Sequence, residues 1–163
     1  MKNSELILGG TLATLAMFAA SPADATPASG FSAVQTIKGT YPELRVMGEK
    51  TGKWDVKIDT KADSDLYVVR NAIAAGGQSG WHRHPGPSLI TVTIGEITAY
   101  ESDDPLCSPK VYRAGEGFVD SGDHAHLLRN ESGAPAETVA VQFLPVGATR
   151  RIDVDPAPTN CSF

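Results

Sequence analysis

Apolar positions in this chain fall into short runs that alternate with polar ones at a period of two. Such runs are Val34–Ile37, Trp54–Asp59, Leu66–Ile73, Leu89–Ile94, Ile97–Tyr100, Gly117–Asp120, His126–Asn130 and Thr138–Leu144. Successive side chains of a strand point to opposite faces, so alternation rich in β-branched and aromatic residues predicts half-buried strands. Between the runs stand Gly76-Gly77, Pro85-Gly86-Pro87, Asp103-Asp104-Pro105 and Ser132-Gly133, residue types that turns favour. Beyond the first 25 residues no segment carries an apolar stripe at the helical period of 3.6. The pattern predicts an all-β fold, an antiparallel sandwich or barrel. Thr51–Ala62, with its lysines and Trp54, reads as a hairpin over the barrel mouth.

The opening residues break this pattern. Met1-Lys2 is followed by an apolar, small-residue run from Leu6 to Ala20 and then by Ala23-Asp24-Ala25. That is the layout of a secretory signal with an A-x-A cleavage site, and cleavage is expected after Ala25. The alternative is an uncleaved membrane anchor, for which Gly9, Gly10, Thr11 and Thr14 make a poor span. Residues 26–163 are then expected to form a single domain exported to the periplasm or beyond. Loss of Lys2, Glu5 and Asp24 takes the formal charge from −5 to −4. A mildly acidic domain of this kind does not suit nucleic acid or an anionic membrane as partner. The two cysteines, Cys107 and Cys161, both lie in the exported part, and an even count in an oxidising compartment predicts a disulfide between them. Two free thiols are the alternative, and no C-x-x-C spacing suggests that they bind metal.

The chemistry of the chain is concentrated in its four histidines, which all fall into two His-x-His pairs, His82/His84 and His124/His126. Residues i and i+2 of a strand share a face, so each pair can aim two imidazoles at one point. Neutral imidazole suits Zn, Cu, Fe and Ni, and two such pairs on neighbouring strands would make a transition-metal site.

The spacing around these pairs resembles the two motifs of the cupin superfamily. Of the first, G-x5-H-x-H-x3,4-E-x6-G, the chain has Gly76, His82, His84 and Gly95, with Ser88 where glutamate is expected. Of the second, G-x5-P-x-G-x2-H-x3-N, it has Gly115, His126 and Asn130, with Ser121 and Asp123 in place of proline and glycine. The resemblance covers residues 76–130. It implies a jelly-roll β-barrel with one divalent metal ion (Fe, Mn, Ni, Cu or Zn) on His82, His84 and His126, and it makes a homodimer a fair expectation.

Several residues remain open at this stage. His124 is either a fourth ligand, a residue supporting the ligands, or an ordinary histidine on a turn at the rim. Gln142 either faces the cavity with Thr138, Ala140 and Leu144 or faces solvent. Tyr67, Arg70 and Tyr100 are within conceivable reach of the pocket, whereas Arg83 should point away from it. Gly95 is expected in a tight hairpin, Asn130 in a turn cap, and Gly122 as a source of backbone freedom next to Asp123. Serine at position 88 is a weak neutral ligand, so no ligand carboxylate is expected there. Three neutral imidazoles would leave the full charge on the ion, which should then favour a small anionic oxygen ligand in its open positions. Among cupins this points to dioxygenase-like oxidation of a small anionic compound, and the alternative is a non-catalytic module that captures such a compound. A cupin isomerase is a third reading, with His124 or a tyrosine as base. Serine-type hydrolysis is not indicated, since no G-x-S-x-G occurs, and phosphate-loop motifs are absent.

Overall fold

The computed structural model describes residues 27–163, so the expected signal at 1–25 lies outside the described residues. The strands are β1 (Ser29–Tyr41), β2 (Arg45–Met47), β3 (Lys57–Asp59), β4 (Ser64–Gln78), β5 (His82–Arg83) and β6 (Ser88–Ile94). They continue with β7 (Glu96–Glu101), β8 (Lys110–Arg113), β9 (Gly117–Asp120), β10 (His126–Arg129), β11 (Ala136–Pro145) and β12 (Ile152–Asp153). Every pairing is antiparallel, and no helix occurs among the described residues. Ten strands form one sheet in which β1, β4, β11, β6 and β9 make one side. The other side is built by β12, β5, β10, β7 and β8, and the two are linked where Arg129 of β10 pairs with Gln78 of β4. The result is a nearly closed, barrel-like sheet of the jelly-roll type.

Strand β11 shows why the alternating pattern builds this wall. Ala136, Thr138, Ala140, Gln142 and Leu144 are buried, while Glu137, Val139, Val141 and Phe143 between them are partly exposed. The inner face is therefore apolar with two polar interruptions, Thr138 and Gln142, and both line the cavity described below. One apolar cluster gathers Ile73, Val92, Ile97, Ala99, Leu128 and Ala136. A second gathers Trp81, Tyr100, Ala125, Leu127 and Cys161, so Trp81 is a packing residue. Cys107 and Cys161 form a disulfide that closes a separation of 54 residues and fixes the C-terminal tail against this second cluster.

Some expectations are corrected here. Gly95 does not turn a hairpin, because β6 pairs with β11 and β9 whereas β7 pairs with β10 and β8. Its positive φ of 73° bends the chain from one side of the barrel to the other, and a Cβ there would sit 2.8 Å from the carbonyl oxygen of Pro135. The hairpin expected over Thr51–Ala62 is instead β2 against β3, with Trp54 at its exposed tip. It does not line the histidine cavity: residues 56–64 form a separate surface groove with Pro85, Gly86, Pro87, Leu89 and 143–145. Strand β1 runs far beyond the four residues expected and pairs with nearly the full length of β4. Asn130 does organise its turn, donating to the carbonyls of Ile73, Ala74 and Ala134 while accepting from Ser132.

Candidate metal centre

His82 and His84 flank the exposed Arg83, so both rings turn inward as i and i+2 of an extended segment. His126 is the direct cross-strand partner of His82 in the β5–β10 pair. Three histidines, one from β10, one from β5 and one from the residue that follows β5, therefore meet inside the barrel. Their side chains are fully buried, and one ligand nitrogen from each lies within 4.8 Å of the others.

The chain fixes the tautomers of two of them. Nδ1 of His82 contacts the carbonyl oxygen of Gly80 at 2.9 Å, and Nδ1 of His84 contacts that of Arg150 at 2.6 Å. A carbonyl can only accept, so both Nδ1 atoms carry the proton and both Nε2 atoms present a lone pair. Backbone carbonyls commonly orient metal-binding histidines in this way. Burial, followed by the neighbouring imidazole of His126, pushes the pKa of His82 well below the ordinary histidine value. Burial likewise lowers His84, to about 4. Both rings are neutral at physiological pH, the form that binds metal.

A carboxylate stands beside this trio. Asp120, at the end of β9, is 3% exposed, and its Oδ1 accepts the backbone N–H of Gly122 at 2.9 Å. Oδ1 lies 3.4 Å from Nδ1 of His126, and Oδ2 lies 4.0 Å from Nε2 of His84. Burial opposes its ionisation, but His126, the Gly122 N–H and His84 outweigh that and hold its carboxyl below the usual range. Asp120 Oδ2 and His126 Nδ1 are both buried without a hydrogen-bond partner. Each such orphan costs on the order of 1–3 kcal/mol, which a coordinated cation would offset. Three converging imidazoles, two defined lone pairs and two orphaned polar atoms fit a divalent transition metal. Gly122 makes this corner possible: at φ 85° it passes so close to the strand carrying His84 that a Cβ would lie 2.8 Å from the His84 carbonyl oxygen.

The histidines open into a cavity of about 200 Å3. Its apolar wall includes Phe31, Val69, Ile90 and Leu128, and its polar wall includes Asn71, Ser88, Thr138, Gln142, Arg150 and Arg151. Gln142 is buried and faces inward, with its amide nitrogen donating to Ser88 Oγ at 3.0 Å and lying 3.2 Å from His84 Nε2. Its amide oxygen accepts from the Arg150 guanidinium at 3.2 Å. Burial lowers the pKa of Arg150, with Arg151 adding to the effect, yet a guanidinium remains charged. Arg151 is tied to the Ser79 carbonyl and to Asp153.

His124 is not part of the trio. Its ring is clamped at the rim by Asp123 at 2.6 Å on Nδ1 and Glu101 at 3.1 Å on Nε2. Burial lowers its pKa, but Asp103, Glu101 and Asp123 outweigh that and raise it. The turn after Gly122 points the ring outward, so the shared face that an extended strand would give does not form. Tyr67, Arg70 and Tyr100 do not line the cavity: Tyr67 lies under Lys38, Arg70 pairs with Glu137, and Tyr100 donates to Glu131. Asp120, Arg150 and Arg151 were not singled out by the sequence reading. Two adjacent arginines in a tail with no other cation were the available signal for the latter pair.

A family model described as cupin domain matches residues 70–142, the stretch that carries all three histidines and Asp120. Over residues 70–142 this chain matches the cupin domain. No curated protein matches the sequence. Among solved structures, a chain of oxalate oxidase in complex with the substrate analogue glycolate is similar at 28% identity and a TM-score of 0.42. That match covers 47% of this chain and 41% of the oxalate oxidase chain, so the cupin spans under half of that relative. An uncharacterised Klebsiella pneumoniae protein with a double-stranded β-helix domain is similar at 19% identity, covering 70% of this chain and 86% of its own, with a TM-score of 0.47. A polyketide cyclase from Streptomyces resistomycificus is similar at 15% identity over 57% of this chain and 64% of its own, with a TM-score of 0.47.

Proposed function

We propose that this cupin is an exported protein that binds one divalent transition metal through His82, His84 and His126 and uses it to hold and oxidise a small anionic compound. The observation that carries the reading is the meeting, in one cavity, of three buried imidazoles and the guanidinium of Arg150. A redox-active ion such as Fe, Mn or Cu would supply oxidation with O2. The chain's own residues would do the rest. The Gly80 and Arg150 carbonyls fix the rings of His82 and His84, so the two lone pairs are oriented before anything binds. Arg150, a planar donor suited to carboxylates, attracts the anion and is itself steadied by Gln142. Phe31, Val69, Ile90 and Leu128 exclude water from the ligand's other side. The cavity volume lies below the ~300–1,000 Å3 range of pockets for drug-sized ligands, which restricts the compound to a small acid.

One observation favours a second reading, a non-catalytic binding module. The three histidines, Arg150 and Arg151 are the only titratable side chains among the described residues that line the cavity, so no separate general acid or base faces a ligand. The experiment that tests both begins with the metal content of protein purified from an export host without chelator, beside His82→Ala and His126→Ala. Near-stoichiometric metal that both substitutions abolish is expected, and its absence from well-folded wild type would sink the proposal. O2 consumption with small carboxylates then supports the enzyme, whereas thermal stabilisation by them without turnover supports the module.

A further inference from the structure

Gln142 is a buried amide whose hydrogen bonds reach both the histidines and the cationic wall of the cavity. On β11 it is the direct cross-strand partner of Ser88 on β6. Directly opposed residues of an antiparallel pair share a face, and the Gln142 amide nitrogen accordingly donates to Ser88 Oγ at 3.0 Å. The other end of the amide faces the Arg150 guanidinium, which can only donate. The atom there is therefore Oε1, and the NH2 group is turned towards His84, 3.2 Å from its Nε2. With the proton of His84 on Nδ1, Nε2 accepts, so a Gln142 N–H sits on the lone pair that the three-histidine reading assigns to the metal. The bonds close a loop: His84 Nδ1–H to the Arg150 carbonyl, the Arg150 guanidinium to Gln142 Oε1, and Gln142 N–H to His84 Nε2. Ser88 and all three members of the loop line the histidine cavity.

For His84 Nε2 to ligate an ion, Gln142 must release it. Its second N–H can stay on Ser88 and its oxygen on Arg150, but the released N–H loses its acceptor. Gln142 is 2% exposed, so that N–H is shielded from bulk water, and a buried donor left unpaired is costly. A carboxylate oxygen held beside the Arg150 guanidinium would accept it. We infer that Gln142 couples the two halves of the site: it caps the His84 lone pair and, on releasing it, offers the same N–H to a carboxylate. Metal and carboxylate then each strengthen the binding of the other. The inference rests on the three-histidine reading above and on Arg150 as the partner of the anion. Serine at position 88 serves this arrangement, since its hydroxyl anchors the amide by the N–H that is not exchanged.

The rival role for Gln142 is only to steady Arg150. Its loss would then weaken anion binding to the same extent with and without metal. Gln142→Met separates the roles, because it keeps the length of the side chain and removes both donor and acceptor. The quantity to compare is the ratio of acetate affinities of Co2+-loaded and metal-stripped protein. By linkage the same factor must appear in the Co2+ affinity with and without acetate.

The experiment titrates both forms of the wild type and of Gln142→Met with acetate in a calorimeter, after a Co2+ titration of each stripped protein. In Gln142→Met the ratio should fall by about tenfold, the effect of one hydrogen bond to a charged partner. Co2+ alone should bind the variant at least as tightly as the wild type, because no N–H has to be displaced. An unchanged ratio would overturn the inference, even with acetate weakened in both forms. Weaker Co2+ binding by Gln142→Met would do the same, since the amide would then be helping the ion rather than capping its ligand. One measurement needs no variant: the Gln142 side-chain NH2 signal in a nitrogen-15 spectrum should move when diamagnetic Zn2+ is added, and again with acetate. A signal that Zn2+ leaves in place counts against the coupling. Wild-type protein that takes up neither Co2+ nor Zn2+ would instead fail the three-histidine reading itself, and this inference with it.

Discussion

His84 shows how the interior of the barrel changes the chemistry of a single side chain. Burial holds its folded pKa at about 4, against about 6.5 in an unfolded chain. Between these values the unfolded state binds a proton that the folded, metal-free state does not. Stability is therefore fully present above about pH 6.5 and declines as the pH falls towards 4. The difference corresponds to on the order of 3 kcal/mol for His84, with His82 acting in the same direction. Denaturant unfolding of the metal-free protein between pH 7 and 4.5 should show this decline, and His84→Gln should flatten it. His124 behaves in the opposite sense: its acidic neighbours favour the charged form at the rim. Both ring nitrogens of His124 are engaged by carboxylates, Asp123 on Nδ1 and Glu101 on Nε2, so neither is turned towards the three-histidine cluster. His124→Ala should leave the metal content unchanged, as measured beside His126→Ala, which should abolish it.

At the scale of elements, what could be read from the sequence was what is local. Period-2 alternation located β4, β6, β7, β9, β10 and β11 within a few residues, and i, i+2 spacing placed His82 and His84 on one face. The pairing of Ser88 with Asp120 depends on the register of β6 against β9, which nothing in either segment announces. The same is true of Arg150 and Arg151, which reach the cavity only because β12 pairs with β5 and brings the preceding turn under His84. Strand β5 is two residues long and β8 carries Lys110 and Arg113, so neither offers a usable apolar pattern. The C-terminal tail follows the same rule, since it is held by a covalent bond rather than by an apolar run. With the Cys107–Cys161 bridge closing 54 residues, the chain-entropy account gives it about 4 kcal/mol. Cys107→Ser with Cys161→Ser should lower the melting temperature by on the order of 10 °C. Because the tail leads back to Arg150 and Arg151, the same variant should also weaken metal retention, a second readout that a purely remote bridge would not move.

For the molecule as a whole, the candidate metal centre is where the fold is least self-sufficient. Elsewhere most inward positions are apolar or satisfy one another, as Asn71 does with Thr138 and Asn130 with its turn, and the Asn160 side-chain oxygen is the one other orphan among the described residues. Around the histidines the barrel encloses a buried carboxylate oxygen and an imidazole nitrogen with no partners. Such an interior is stabilised by whatever ion it binds in the folded state and not in the unfolded one. At a free metal concentration a hundred times the Kd, that linkage amounts to about 2.7 kcal/mol. For a domain of this size it corresponds to a rise of roughly 8 °C in the melting temperature. Calorimetry of metal-free protein with and without added Co2+ or Mn2+ should show this rise in the wild type. His82→Ala removes a ligand lone pair and should melt at the same temperature with or without metal. A wild-type melting temperature that no divalent transition metal shifts would mean that the orphaned atoms are satisfied by water instead. The site would then be a polar cavity rather than a metal centre.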